Sequence, residues 1–326
     1  MSVIDDTLVS TVTDQTTAEA AVGVKRRTRK PAQPKERGAI SVADRRRPAV
    51  KITMWVVQIL VFAGLVFAGL GPLAWSAKAS ITSSQAIISD PMGIWFQPNH
   101  WGNFVAAWNG AQIGLSLGNT AILAIGSTIT TLFVCTTGAY LLSVLRPRWT
   151  PWLTGAILAT LFLPGIISLV PLYLTILKLP PTGISLQNTF WAVWLPAGAS
   201  AFNVIVLKNF FDSIPRELIE AAKIDGAGPI RVLATLILPL SKPILGVVAL
   251  LTIVASWKDF LWPMLVLPNS NLQPVSVALP GLTKGPTPFA VQMAAVFLTI
   301  IIPVILFVAF QKQFLRGVGT AGGVKG

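Results

Sequence analysis

Residues 211–242 read FDSIPRELIEAAKIDGAGPIRVLATLILPLSK, a charged stretch punctuated by proline and set between two long apolar runs. Pro215 suits the first turn of a helix, where its missing N–H costs nothing. Glu217 and Glu220 then lie toward the positive end of that helix's dipole. Arg216 and Glu220 are spaced i,i+4, and Glu220 and Lys223 i,i+3, so the polar side supports itself. Leu218, Ala221, Ala222 and Ile224 form an apolar side with small residues at its centre. Asp225 and Gly226 end the helix, since glycine adopts positive φ without strain. Pro229 starts a second short helix and Pro239 closes it. Ala221 and Ala222 are small enough to seat this helix–turn–helix in a partner's groove. The same pattern also describes an amphipathic helix resting on lipid.

Working outward, the 326-residue chain is 53% hydrophobic and 11% charged, with a mean hydropathy of +0.69. Soluble domains carry about 25% charged residues, so lipid replaces water around much of this surface. The net charge of +13 sits in short clusters without the aromatic-interleaved basic stripe of a nucleic-acid binder. Cys135 is the single cysteine and excludes an intrachain disulfide. Together with the lone His100 it cannot build a metal site, so no metal is expected.

A membrane helix needs about 20 apolar residues. Runs of that length fit near 54–75, 116–144, 152–177, 189–210, 243–267 and 291–313, which predicts an all-α, polytopic protein with six transmembrane helices. Basic residues concentrate on one side. Arg146 and Arg148, then Lys208, Arg216, Lys223, Arg231 and Lys242, then Lys312, Arg316 and Lys325 share a side with the basic N-terminal tail. Lys78, Lys178 and Lys284 lie opposite. By the positive-inside rule both termini, and the 211–242 loop, are cytoplasmic. Residues 1–50 read as a disordered basic tail ahead of a six-helix membrane domain at 51–326. The first apolar run starts too late for a cleaved signal peptide. Gly114 and Gly118, four apart, would allow a close helix contact.

ELIEAAKIDGAG…LPL resembles the EAA loop of importer permeases of the ATP-binding-cassette class. The motif falls on Glu220, Ala221, Ala222, Gly226 and Pro239, with Glu217 and Asp225 beside it. Asn119-Thr120, Ala139-Tyr140, Pro164, Pro171-Leu172-Tyr173, Asn188-Thr189, SWKDFLWPMLVL at 256–267 and the terminal TAGGVKG are similar to the carbohydrate branch, and to the smaller permease of maltose importers. Lys258 departs from that pattern, standing where asparagine is expected. The resemblance implies that 211–242 docks into a cleft on a cytoplasmic ATPase and transmits its closure. It also implies a second permease that is a paralogue, two ATPase subunits and an extracytoplasmic sugar-binding protein, in a bacterial-type cytoplasmic membrane. No GxxxxGK[ST] loop and no Gly-Lys dipeptide occurs. ATP and magnesium therefore belong to the partner ATPase, and this chain is expected to carry no cofactor and no catalysis of its own.

Lys258 and Asp259 are ionisable groups at membrane depth and thus candidates for the substrate path; a structural contact or snorkelling is the other reading. Trp257, Phe260 and Trp262 flank them and could stack on a sugar ring, or serve packing. Trp55, Trp75, Trp149, Trp152, Trp191 and Trp194 read as belt residues near span ends. The external loop at about 268–290, through Asn269, Asn271, Gly281 and Gly285, would by resemblance reach into the binding protein. In the tail at about 314–326, glycine argues against a stable helix, and the resemblance implies insertion between ATPase subunits. An ion-driven secondary transporter or a permease for a non-sugar solute such as a glycerol phosphate ester remain alternatives. An intramembrane enzyme would need clustered acids, and Asp259 alone lies in a span.

Overall fold

The computed structural model describes residues 48–93 and 100–322, without the side chains of residues 306, 307 and 310–322. Most of the expected basic tail, 1–47, and the last four residues lie outside the described part. Among the described residues the regular structure is all helical, apart from one isolated bridge between Leu179 and Ile184. Helix α1 is Pro48–Ser80. Its first part, to Leu65, belongs to one compact unit, and the second unit begins at Val66. In the first, Ile52, Trp55, Leu60, Phe62 and Leu65 are all exposed.

The second unit is organised by α2, Ile113–Tyr140, prolonged by a wider turn to Leu145. The helices that follow are α3 (Thr150–Thr160), α4 (Gly165–Leu177), α5 (Trp191–Gly198) and α6 (Ala201–Asp212). Next come α7 (Arg216–Ile224), α8 (Pro229–Leu240), α9 (Lys242–Lys258) and α10 (Leu261–Val266). A short helix α11 (Val275–Gly281) precedes the last, α12 (Phe289–Gly322). Helices α5, α6, α9 and α11 all pack on α2. Three apolar clusters succeed one another along it. Ile113 and Leu117 join Val275, Val291 and Ala294; Leu123 joins Ile176, Val193 and Val266; Cys135, Ala139 and Tyr140 join Leu207, Phe211 and Val248.

Enclosure on several sides is helped because α2 satisfies several of its own hydroxyls. Thr120, Thr128, Thr130 and Thr137 each donate a hydroxyl hydrogen bond to the carbonyl four residues earlier, at 2.7–2.9 Å. Such back-bonding lets hydroxyls sit among apolar helices.

Among the described residues, α1 and the helix Ile113–Leu145 are each long and apolar enough to cross a membrane, and counting each of three bent pairs as one span raises the number to five. The expected span 152–177 is in fact α3 and α4, meeting at 105°. Pro164 stands at the N-cap of α4 with extended ψ of 127°, and proline denies α3 the next hydrogen bond. The span at 189–210 is α5 and α6, bent by 43°. The span at 243–267 is broken after Lys258, where Asp259 leaves the helix with ψ of 115°. The sixth, 291–313, falls on α12, of which Phe289–Ile305 is apolar. Helix α12 continues to Gly322, against the expectation for the glycine-rich tail. Extension of an existing helix adds one bond per residue and avoids the cost of nucleation.

Close contacts on α2 are made at Gly114, where a Cβ would overlap the Trp108 indole, and at Gly126, but not at Gly118. A Cβ on Gly126 would overlap the Trp194 indole of α5, and one on Gly198 would press on Thr130 and Val134. Gly118 has open space around it. Gly126→Ala should therefore cost about 1–3 kcal/mol through overpacking, while Gly118→Ala is neutral or slightly stabilising. Thermal unfolding of the detergent-purified protein distinguishes the two.

Candidate functional site

Between the second and third clusters, α2 turns Ser127 and Thr131, one helical turn apart, toward a cavity of about 600 Å³. That volume is within the range of small-ligand sites, about 300–1,000 Å³. Ser200 and Asn203 line it from the α5–α6 bend, Thr252, Ser256 and Lys258 from α9, and Asp259 from the break that follows. The breaks in the helices thus coincide with the cavity wall, where irregular backbone can be accommodated.

The polar wall is partly committed. Thr131 donates to the Ala197 carbonyl at 3.0 Å, and Thr252 to its own helix at 2.9 Å. Asp259 accepts from the Trp262 backbone N–H at 3.4 Å. Ser127 is buried and its hydroxyl has no partner. The Asn203 amide makes no side-chain hydrogen bond, and no carboxylate pairs with Lys258, among the described residues. A hydroxyl, an amide, an ammonium and a carboxylate therefore face one space, a set suited to a polyhydroxy solute. Of the residues singled out from the sequence, Lys258 and Asp259 reach this wall. Trp257 packs instead with Ile113 and Val291. Trp262 donates its indole N–H to the Ala192 carbonyl at 3.0 Å within another cluster, and Phe260 does not line the cavity. Ser127, Thr131 and Asn203 were overlooked. Two hydroxyls at i,i+4 in an apolar span were the available signal.

At the far end of α2 stands the α7–α8 segment. Pro215 takes the N-cap position with ψ of 129°, and Gly226 has φ of +76°. The turn is closed by the Asp225, Gly226 and Ala227 N–H groups, donating to Ala221, Lys223 and Ala222 carbonyls at 2.9–3.0 Å. The apolar side divides differently from expectation. Ile219 is buried and Ala222 packs beside it, because Ile219 points to the same cluster as Ile214 and Phe211. Leu218, Ala221 and Ile224 face outward, and Ile224 and Ile230 are 87% and 83% exposed. Glu217, Glu220 and Asp225 are exposed as well. Neither Arg216–Glu220 nor Glu220–Lys223 forms an ion pair; free in water, these side chains keep their rotamer entropy. Helix α8 runs one residue beyond Pro239, to Leu240.

This segment is tied to α2 by specific bonds. The Tyr140 hydroxyl donates to the Pro229 carbonyl at 2.9 Å. Asp212, ending α6, accepts from Ser143 at 2.7 Å, Arg146 at 2.7 Å and Lys208 at 2.6 Å. The other predicted group lies in the 268–288 loop. Asn269 and Asn271 are exposed side chains on a turn held through its backbone, Gly281 ends α11, and Gly285 follows a short turn. No three His, Cys, Asp or Glu side chains gather as metal ligands do, among the described residues.

Residues 136–318 match the family of binding-protein-dependent transport system inner membrane components. The chain belongs to this family. The chain is similar to the probable ABC transporter permease protein YurM of Bacillus subtilis, 31% identical over 84% of this chain and 88% of that one. The sn-glycerol-3-phosphate transport system permease protein UgpE of Pectobacterium atrosepticum is 29% identical, over 80% of this chain and 94% of its own length. The fold is shared with a bacterial ABC transporter involved in the import of the acidic polysaccharide alginate. The TM-score is 0.69 at 24% identity, covering 84% of this chain and 98% of the other. The matched region of this permease takes in the Tyr140 contact, the Asp212 cluster, α7–α8 and the Lys258–Asp259 wall.

The Asp212 cluster gives a direct check on how α2, α6 and the following turn are joined. Asp212→Ala removes the acceptor shared by Ser143, Arg146 and Lys208, and because the ion pairs are partly exposed to solvent it should lower stability by about 1 kcal/mol. Asp212→Asn, which keeps an acceptor for Ser143, should lose less; unfolding midpoints of the two variants provide the comparison.

Proposed function

We propose that this protein is one membrane-spanning permease of an ATP-driven, binding-protein-dependent sugar importer. It couples closure of partner ATPase subunits to alternating access of the 600 Å³ cavity. One observation carries the reading: an exposed apolar surface of Leu218, Ala221, Ile224 and Ile230 is bonded through α8 to the helix that lines the cavity. Such a surface, small at its centre and rimmed by charges of both signs, Glu217, Glu220 and Asp225 with Arg216, Lys223 and Arg231, suits a groove on a second protein.

In this reading both termini and α7–α8 are cytoplasmic. ATP and magnesium are held by two ATPase subunits, and this chain performs no chemistry. A paralogous permease completes the membrane pathway, and an extracytoplasmic binding protein delivers the sugar to the 268–288 side. ATPase closure favours one arrangement of the membrane helices over the other because it binds that arrangement better. Ser127, Asn203, Lys258 and Asp259 meet the solute. Lys258 supports a second reading, in which the solute carries an anionic group such as a phosphate ester, as for the relatives named as sn-glycerol-3-phosphate permeases.

The test is solute-stimulated ATP hydrolysis by the chain reconstituted with its neighbouring permease, ATPase and binding protein. Wild type should require the full set. Gly226→Val places a β-branched residue at φ of +76°, strain of about 1–3 kcal/mol, and should cut stimulation at least about fivefold while the subunits still assemble. Uptake driven by an ion gradient without any ATPase would overturn the reading.

A panel of neutral and phosphorylated solutes then separates the two substrate classes. Asn203→Ala should raise the concentration for half-maximal transport by about five- to tenfold, as expected for one lost hydrogen bond, with ATP hydrolysis in the absence of solute unchanged. Lys258→Met should weaken anionic solutes more than neutral ones. Equal losses for both classes would count against the second reading.

A further inference from the structure

Two polar side chains buried in α2 have no part in the cavity or in the α7–α8 contact. Asn119 is 5% exposed and Thr120 is fully buried. Both are committed to the chain between α10 and α11. Asn119 Nδ2 donates to the Asn271 carbonyl at 2.8 Å and to the Gln273 carbonyl at 3.2 Å. Thr120 Oγ1 donates to the Ser116 carbonyl at 2.7 Å and accepts from the Val275 N–H at 2.9 Å.

The opposite margin of the same segment is held by Asn188, whose φ of +63° is one that asparagine tolerates. Its backbone N–H donates to the Val266 carbonyl at 2.7 Å, and its Oδ1 accepts from the Asn269 N–H at 3.1 Å. Gln273 Nε2 closes the turn on the Leu267 carbonyl at 3.2 Å. Val275 then enters the cluster around Ile113 and Leu117. One further bond leaves the segment: Ser276 Oγ donates to the Asp259 carbonyl at 2.7 Å, next to the cavity wall.

A loop acting as a free flap would have its backbone bonded to water. Here buried side chains are used on its backbone: opening the segment would strand the buried Asn119 amide, and without Thr120 the Val275 N–H would be unpaired in the closed arrangement. Segment 269–276 thus bridges α2 on one side and the backbone of Asp259 on the other.

We propose that Asn119 and Thr120 are positioning residues that lock segment 269–276 onto α2. Displacement of the external loop by the binding protein then reaches the cavity through Ser276 and Asp259. The proposal rests on the importer reading for its partner, and on the hydrogen bonds above for its path.

The experiment uses the reconstituted four-component complex with Val275→Cys as a reporter. Val275 is 1% exposed, and native Cys135 is also buried, so thiol labelling starts low. Thr120→Val should raise the labelling rate of the reporter and lower binding-protein stimulation of ATP hydrolysis, each by at least about fivefold. Thr120→Ser, which keeps the acceptor, should restore both. Asn119→Ala should act in the same direction as Thr120→Val, and it serves where that variant fails to assemble. Ser276→Ala should lower stimulation without raising labelling.

Labelling that Thr120→Val leaves unchanged shows there is no lock. Labelling that rises while stimulation stays at the wild-type level shows the lock transmits nothing. Either result overturns the proposal and leaves the importer reading standing. A wild-type complex that shows no stimulation at all sinks the importer reading, and this proposal with it.

Discussion

The structure depends on α2 being able to lie among other helices while carrying many hydroxyls. In a low-dielectric surrounding, each unpaired polar group is costly. Thr120, Thr128, Thr130 and Thr137 avoid that cost by bonding to the turn behind them. The helix can then accept α9, α5, α6 and α11 around it. Gly126 and Gly198 remove Cβ atoms where α5 approaches closest. Close approach compensates for the weak hydrophobic drive between helices in lipid, since dispersion contacts and small residues do the joining there. Two buried hydroxyls on α2, those of Ser127 and Thr136, have no partner, and of these Ser127 lies on the cavity.

Backbone satisfaction also explains where the other helices break. Ending a helix inside a membrane frees N–H and C=O groups, which is tolerable only beside protein or a wet cavity. The α5–α6 bend places Ser200 and Asn203 on the cavity wall, and the break after Lys258 places Asp259 there. The Ser276 hydroxyl bonds the Asp259 carbonyl at that second break. Broken helices presenting polar ends at a central site are a recurrent solution in transporters, here assembled around one unbroken helix.

The α7–α8 segment was the most legible part of the sequence. Pro215 and Gly226 act through fixed or permitted φ values, a local property that tertiary context seldom overrides. The apolar side of α7 was legible only in part, because Ile219, not Leu218 or Ile224, is the residue that meets Ile214 and Phe211. Helix breaks were harder to read. Proline at 164 splits a span, whereas Pro171, Pro196 and Pro303 are accommodated inside helices, so proline alone does not announce a break. Asp259 was placed on a helix although Pro263, four residues on, has no N–H for its carbonyl; the long-range contact with Ser276, which takes that carbonyl instead, is absent from any local pattern. The same holds for Trp257 and Trp262, which neighbour the charged pair in sequence but pack away from the cavity.

Length gives α2 its mechanical significance. The 33 residues of Ile113–Leu145 make a rod of about 50 Å at 1.5 Å per residue. A tilt of about 10° around its midpoint moves each end by about 4 Å, and Asn119, Thr120 and Tyr140 by about 2–3 Å, enough to pull any of their hydrogen bonds out of range. Elements bonded to the two ends must then either travel with α2 or lose their bonds. With Tyr140 on the Pro229 carbonyl at one end and Asn119 on the Asn271 and Gln273 carbonyls at the other, travelling together is the cheaper course. A docked α7–α8 segment and the 269–276 turn are in this sense two handles on one rod. The cavity lies between them, against the stretch from Leu123 to Thr131, where a rotation of the rod changes which side chains the solute meets.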